Sequence, residues 1–476
     1  MERWEQELVD IFGSAVVNKG LALENEIAGI PRYVSEFILG VFGENGIDAE
    51  AVKDANEFIC ANQYSGREKE VLKNKLTSEI RVKVLDKFKA EIDTRKNETR
   101  GSLATTKLDN MFVSPSLTKE HERLLIDGIW GLGELRYYSP DSKYEGDETN
   151  KEGSIELQKF RALQLSSISL DSFKEGRSQM DTKSWLKALI STIGLQHGNY
   201  NLREKLIILS RLIPMVEDSI FMMEFGKPGT GKTYAFENIS AYSRVISGSS
   251  ISAAQLFYNL QRNTPGLLVQ YDVVLFDEID KIRRRGLNEE VINKLYKYLE
   301  SYSFDRGEVE MSSTCGIMMV GNTSPDKEFN EETLFMDVLH EKIREEAFVS
   351  RIAGLIPGWE LDTIENRDKS ITKDYGFMAD YFSEIMHALR KSHSQHNIVN
   401  NRLVLKNANI RDEKSIRKIT AGLLKLIYPN DQVEDEYFEE IVKYAVGLRQ
   451  SVVDQNYYLT KKEDYNVKIE WEVLSE

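Results

Sequence analysis

The sequence predicts an α/β protein: a phosphate-loop core on a parallel five-stranded sheet, closed by a helical lid and preceded by a helical N-terminal domain and a small β-rich domain. Three observations carry this expectation. Residues 226–233 read GKPGTGKT and fit the pattern GxxxxGK[ST] at every required position. A largely apolar run over 220–225 supplies a buried strand before the loop, and the residues from Tyr234 onward supply a helix after it. Buried runs then recur at 244–247, 272–276, 317–320 and 353–356 in alternation with helical patterns, as parallel strands with helices on both faces require.

In a loop of this kind, glycines let backbone N–H groups turn toward phosphate oxygens, and the following helix N-terminus adds partial positive charge. Gly226, Lys227, Pro228, Gly229, Thr230, Gly231, Lys232 and Thr233 therefore form the expected cradle. Lys232 is placed to reach the β- and γ-phosphates and Thr233 to ligate Mg²⁺, so ATP with Mg²⁺ is the expected ligand. The stretch YDVVLFDEID, residues 271–280, repeats the logic: a continuous apolar run suited to a buried parallel strand ends in two carboxylates. Asp277 is expected to hold the Mg²⁺ shell and Glu278 to orient or deprotonate the attacking water. Alone, this would read as an acidic turn closing a strand; after a phosphate loop it reads as the catalytic edge of the sheet. The run over 317–320 ends in GNTSP, placing Asn322 at a strand end where an amide can hold the lytic water, the alternative being an ordinary asparagine turn.

The chain has 476 residues, which suggests roughly two to four domains. Its 41% hydrophobic content is ample for packed cores. No apolar stretch approaches the ~20 residues needed to span a bilayer, and MERWEQELVD lacks the layout of a signal peptide. A cytoplasmic location with no membrane partner is the expectation. Cys60 and Cys315 are the only cysteines and lie far apart, which excludes a disulfide framework and a zinc set. His393 and His396 read as solvated loop residues. A formal net charge of −15 repels polyanions at long range, so a nucleic-acid role needs a local basic surface or channel.

Taken in order, residues 1–100 read as the helical domain, on apolar spacings near three and four such as Val71, Leu72, Leu76, Ile80, Val84 and Leu85. Basic residues outnumber acidic ones over 66–100, either as a solvated helix face or as a polyanion-facing surface. Residues 101–172 read as the small β-rich domain, with short β-like runs, an acidic polar loop over 139–153, and a barrel as one conceivable topology. Its Trp130, Tyr137 and Tyr138 are candidates for base stacking or for core and rim positions. Helices around 185–193 and 203–212 lead into the nucleotide domain, 173–365. Helical patterns over 375–389, 414–428 and 437–453 form the lid, 366–455, and 456–476 is read as a tail.

The order of phosphate loop, DEID, Asn322, Arg351 and Arg417, with a helical lid behind an α/β core, resembles the AAA+ ATPases. More narrowly, stretches such as IPRYVSEFILG, LIDGIWGLGELRYY, LREKLIILSRLIPMVE, ISGSSISAAQLFYN, GLLVQYDVVLFDEIDKI, LIPGWE and ITAGLLKLIYP, spread in order over nearly the whole chain, are similar to the Lon-related family of BREX phage-exclusion systems. In that family a Lon-like protease domain follows the ATPase region. This chain ends at Glu476 with no room for its Ser and Lys dyad, so proteolysis is not expected. The resemblance implies an ATPase of antiphage defence that assembles as hexameric or heptameric rings, stacked rings included, binds or encircles DNA, and can engage other defence-system proteins. It makes Arg351, in VSRIAG, the finger arginine that reaches a neighbouring subunit's γ-phosphate, and Arg417 the second sensor on the lid. Arg283, Arg284, Arg285 and Arg306 fall where related rings carry pore-facing insertions, and so are the DNA candidates, a string of solvated arginines being the other reading. Two further function classes stay open: a protein-remodelling ATPase that threads polypeptide, and an ATP-binding switch or scaffold with little turnover.

Overall fold

The computed structural model describes residues 1–24, 29–43, 47–79, 81–94, 96–139, 154–163, 168–247, 251–261, 263–282, 289–323, 339 and 341–474. Two compact units emerge: residues 21–166 form one, and residues 1–20 together with 167–476 form the other.

The unit over 21–166 combines helices Arg32–Phe42, Ala49–Asn62 and Lys69–Ser78 with a closed barrel. Its strands are β1 (Val82–Asp93), β2 (Glu98–Leu103), β3 (Met111–Val113), β4 (Ile129–Tyr138) and β5 (Ser154–Ala162), in the order β1-β2-β3-β5-β4. All pairings are antiparallel except β3 with β5. The helical reading of residues up to 100 is therefore corrected: Val84 and Leu85 lie on β1, which pairs with β2 across residue 100. The cause is an aliasing of periods. Spacings of four between Leu76, Ile80 and Val84 are even numbers, so they satisfy strand alternation as well as one helix face. Val82, Val84, Phe88 and Ala90 point into the barrel, whereas Lys83 is exposed. Trp130 and Tyr138 are buried, and the Tyr138 hydroxyl donates to Glu156 Oε2 at 2.6 Å. Most of the acidic loop read over 139–153 lies outside the described residues.

The other unit holds the nucleotide core. Its strands are β6 (Phe221–Gly226), β7 (Ser243–Ser247), β8 (Val273–Asp277), β9 (Gly316–Asn322) and β10 (Gly354–Pro357), forming one five-stranded sheet in the order β10-β6-β9-β8-β7. Every pairing is parallel; β6, β8 and β9 are buried along nearly their whole length, but the edge strand β7 is partly or fully exposed, which corrects the reading of 244–247 as a buried run, since an edge strand is covered on one side only. All six residues of β6 are buried, and Phe221, Met223, Val274, Phe276, Ile317, Met319 and Leu355 share one core. The crossover that inserts β9 between β6 and β8 brings three strand tips to one edge, with Asn322 opposite Gly226 in register.

The first residues of the chain belong to this unit. The strand Val16–Asn18 pairs antiparallel with Tyr375–Phe377, and Phe12 packs edge-on against Phe377 at 4.9 Å. The expected helix over 375–389 thus opens with that strand and becomes helical only over Ala379–Leu389. Helices Ser394–Arg402, Ile410–Ile427 and Asp435–Thr460 follow. Beyond them, Glu470–Val473 pairs antiparallel with Leu403–Lys406 inside the stretch read as a tail. His396 is not a solvated loop residue: it lies on the helix Ser394–Arg402, and its Nε2 sits 2.9 Å from Oε2 of the fully buried Glu217.

Candidate functional site

The phosphate loop leaves the end of β6 and enters the helix Tyr234–Asn238. Gly229 and Gly231 adopt φ of 76° and 73°, left-handed conformations that glycine takes without steric cost. Lys232 is buried, and its Nζ donates to the carbonyls of Gly226 at 3.1 Å and Lys227 at 2.7 Å. Burial pushes its ammonium pKa below the usual lysine range, against the opposing pull of Glu224. Thr233 Oγ1 donates to Asp277 Oδ2 at 2.9 Å, joining the end of the loop to the tip of β8. The two motifs, 44 residues apart in sequence, thus meet at one point.

Around that contact the tips are cross-linked. Asp277 Oδ1 accepts from the Glu278 N–H at 2.7 Å, Asp280 Oδ1 accepts from the Asn322 N–H at 2.9 Å, and the Thr323 N–H donates to Gly226 O at 3.1 Å. Glu278 has a φ of 55°, sparsely populated for a residue with a side chain and found disproportionately at functional sites. Its carboxylate pairs with Lys281. On the neighbouring helix, burial raises the Glu237 carboxyl pKa and the charge of Asp277 adds to the effect.

Beneath the loop lies a pair that motif reading does not find. Glu224, in the middle of β6, is fully buried and meets the Arg211 guanidinium twice, at 2.8 Å and 3.1 Å. The remaining Arg211 amine donates to Thr230 O at 3.0 Å, so the pair also holds the loop backbone. Behind it, a Cβ on Gly358 would overlap Glu224 Oε1, which explains the glycine just after β10. A further strut comes from Ile364, whose N–H donates to Gly229 O at 2.9 Å. The signal was present in the sequence: a lone carboxylate inside the apolar run FMMEFG needs a buried cation. Arg211→Ala leaves that carboxylate unpaired and should cost about 3–5 kcal/mol, read as a lowered Tm. Arg211→Met with Glu224→Leu should recover most of the stability while still weakening ATP binding, because Thr230 O has lost its donor; recovered affinity would show that the pair serves stability alone.

The candidate arginines are scattered. Arg351 follows the short helix Glu346–Val349; its Nη2 donates to Glu300 Oε2 at 3.0 Å and its guanidinium lies over the Tyr296 ring at 5.9 Å. Arg417 donates to Val399 O, Leu403 O and Asn400 Oδ1 at 3.2, 3.1 and 3.4 Å, closing the C-terminal end of the helix Ser394–Arg402. Arg306 ends the first strand of a hairpin, Ser303–Arg306 with Val309–Ser312, that turns at Gly307. Arg283, Arg284 and Arg285 lie outside the described residues.

Two family models match the chain. Residues 155–470 match "Lon-like protease BrxL-like, ATPase domain", and residues 10–137 match "BREX system Lon protease-like protein BrxL N-terminal". Over 468 residues the chain is 29% identical to the Lon-like protease BrxL of Bacillus cereus (strain H3081.97), covering 97% of this chain and 68% of that protein. Over 449 residues it is 26% identical to the Lon-like protease BrxL of Escherichia coli O9:H4 (strain HS), covering 93% and 63%. It therefore spans about two thirds of the length of these relatives. A phosphate loop touching an acidic strand tip is common to many nucleotide enzymes, but both models matching in order along one chain is a narrower finding, and it places this chain in the BrxL family of BREX systems.

Proposed function

We propose that this chain is a ring-forming, Mg²⁺-dependent ATPase that binds or encircles DNA in phage defence. The observation that carries the reading is the Thr233–Asp277 contact at 2.9 Å at the edge where the tips of β6, β9 and β8 converge. A hydroxyl and a carboxylate oxygen are hard donors of the kind that Mg²⁺ takes alongside phosphate oxygens and water, so Thr233 and Asp277 fit the ion. When bound there, Mg²⁺ would neutralise charge developing between the β- and γ-oxygens. The protein's own part is positioning. Residues 226, 227 and 229–231 offer backbone N–H groups to the phosphates, and Lys232 exchanges its loop carbonyls for β- and γ-oxygens. Glu278 accepts the proton of the attacking water, and Asn322 fixes that water from the adjacent strand tip.

The family supports the defence role, and the AAA+ resemblance supports the ring, in which Arg351 serves the neighbouring subunit's nucleotide. The barrel supports a nucleic-acid role, since one class of five-stranded barrel binds oligonucleotides on the face of its second and third strands and the adjoining loops. Here the Arg100 guanidinium on β2 stacks on the Phe112 ring of β3 at 3.6 Å. The test is ATP hydrolysis with and without duplex DNA, run beside a gel-shift at graded salt. Hydrolysis should rise with DNA, and binding should weaken by a log-log slope of about −0.9 per phosphate contact. Replacing Arg283, Arg284, Arg285 and Arg306 together by Ala should flatten that slope without dissolving the ring. An unchanged slope moves the contact away from these arginines. No DNA binding at low salt with ATP present puts polypeptide remodelling in its place.

A further inference from the structure

Arg351 sits at the wrong end of the sheet to serve its own nucleotide. The Ala353 N–H donates to Phe221 O at 2.6 Å, so the segment carrying Arg351 abuts the first residue of β6. The phosphate loop begins at the last residue of β6, about 17 Å further on at roughly 3.3 Å per residue. At this distal end the core and the helix Ile410–Ile427 enclose a cleft of about 690 Å³. Arg351 and Arg411 both line it, with Glu300, Asn409 and Lys414.

Arg411 is the second residue of that helix, is exposed, and donates from Nη1 to Ser350 Oγ at 2.9 Å. The two arginines are held together by a buried scaffold. Arg449, 2% exposed, donates from Nε to Asp412 Oδ1 at 2.8 Å, from Nη2 to Ser350 O at 3.2 Å, and from Nη1 to Ile352 O. Asp412 belongs in turn to the capping box with Asn409 that fixes the start of the helix. A single guanidinium therefore ties the residue after Arg411 to the residues on both sides of Arg351. Arg351 Nη1 and Nη2 donate to Ala347 O and Glu300 Oε2 and its side chain is only 12% exposed, so it must exchange Glu300 to act, whereas the exposed Arg411 makes one hydrogen bond, to a neutral hydroxyl. Arg417 is different, since its donors are spent on Val399, Asn400 and Leu403 within its own group of helices.

We infer that Arg411, rather than Arg417, is the second arginine of the ATPase site, and that it acts with Arg351 across the subunit boundary on the neighbouring copy's terminal phosphate. This rests on the ring reading above. Two guanidinium groups fixed in advance on one edge present a charged fork to the developing phosphoryl charge without reorganisation. Glu300, already paired with Arg351, occupies the fork until the neighbour's phosphate displaces it.

The test is subunit mixing. Arg411→Ala should lose about 10²-fold or more in kcat with ATP affinity nearly unchanged, and Arg411→Lys, which keeps charge but not the fork, should fall between it and wild type. Equimolar Arg411→Ala and Glu278→Gln should regain activity at about one interface in four, where an intact base faces an intact Arg411. Recovery in that mixture supports action in trans. No recovery there, with recovery in the matching mixture of Arg351→Ala and Glu278→Gln, overturns the role of Arg411 while the ring reading stands. No recovery in either mixture, with a monomer by light scattering, sinks both. Wild-type rates from Arg411→Ala overturn its role, and an Arg417→Ala protein that is inactive alone but regains activity when mixed with Glu278→Gln returns that role to Arg417.

Discussion

Glu278→Gln should bind ATP as tightly as the wild-type protein and hydrolyse it about 10²- to 10⁴-fold more slowly. The amide keeps the shape of the side chain, and Asp277 still holds Thr233 at 2.9 Å, so neither the loop nor the metal position changes. What is lost is the group that takes a proton from water. The left-handed backbone at Glu278, φ 55°, is set by the turn out of β8 and not by the carboxylate, so the substitution adds no strain of its own. The measurement is steady-state hydrolysis beside titration of a fluorescent nucleotide. Undiminished turnover would remove Glu278 from the mechanism and pass the base to another carboxylate at this edge, of which Asp280 and Glu237 are present. Lys232→Ala makes the useful contrast, because it removes a phosphate ligand and should weaken binding itself.

The meeting of the phosphate loop with the acidic strand tip was legible because its requirements are local. A phosphate loop needs glycines at fixed offsets, and a buried parallel strand needs a largely apolar run; both conditions are met within ten residues of each motif. Strand existence followed from the same runs, but the order β10-β6-β9-β8-β7 did not, since a parallel strand can enter a sheet at either side of its predecessor. That order is what sets Asn322 beside Gly226.

Illegible features were those fixed by partners distant in sequence. Arg211 and Glu224 lie on different elements, and neither declares its partner until helix and strand pack. His396 looked solvated for the same reason, since the buried Glu217 that it meets lies 179 residues away. Arg417 had the right residue type on a plausible helix, but its side chain turns to the carbonyls of the preceding helix. Only packing distinguishes it from Arg411, six positions earlier and almost two helical turns away.

Arg351→Ala should retain nucleotide affinity and lose hydrolysis by about 10³- to 10⁵-fold, the scale of a finger arginine. Geometry comes first: Arg351 stands beside the start of β6 and the phosphate loop begins at its end, so in the proposed ring its charge serves another copy. It is also electrostatic. In the single chain the guanidinium is held by Glu300 at 3.0 Å, a carboxylate 65% exposed at its side chain that can turn to solvent when a phosphate takes its place, while the arginine side chain is itself only 12% exposed. Removing the arginine also deletes its bond to Ala347 O and its contact with the Tyr296 ring, so Arg351→Lys, which keeps the charge, is measured beside Arg351→Ala to separate a lowered Tm from a lost rate. Rates should also depend on protein concentration in the wild type, falling where dilution separates subunits, because in the proposed ring each site draws Arg351 from its neighbour. A monomer that hydrolyses ATP at undiminished rate, or an Arg351→Ala protein with wild-type turnover, would place the stabilising charge elsewhere and leave Arg351 as a surface partner of Glu300.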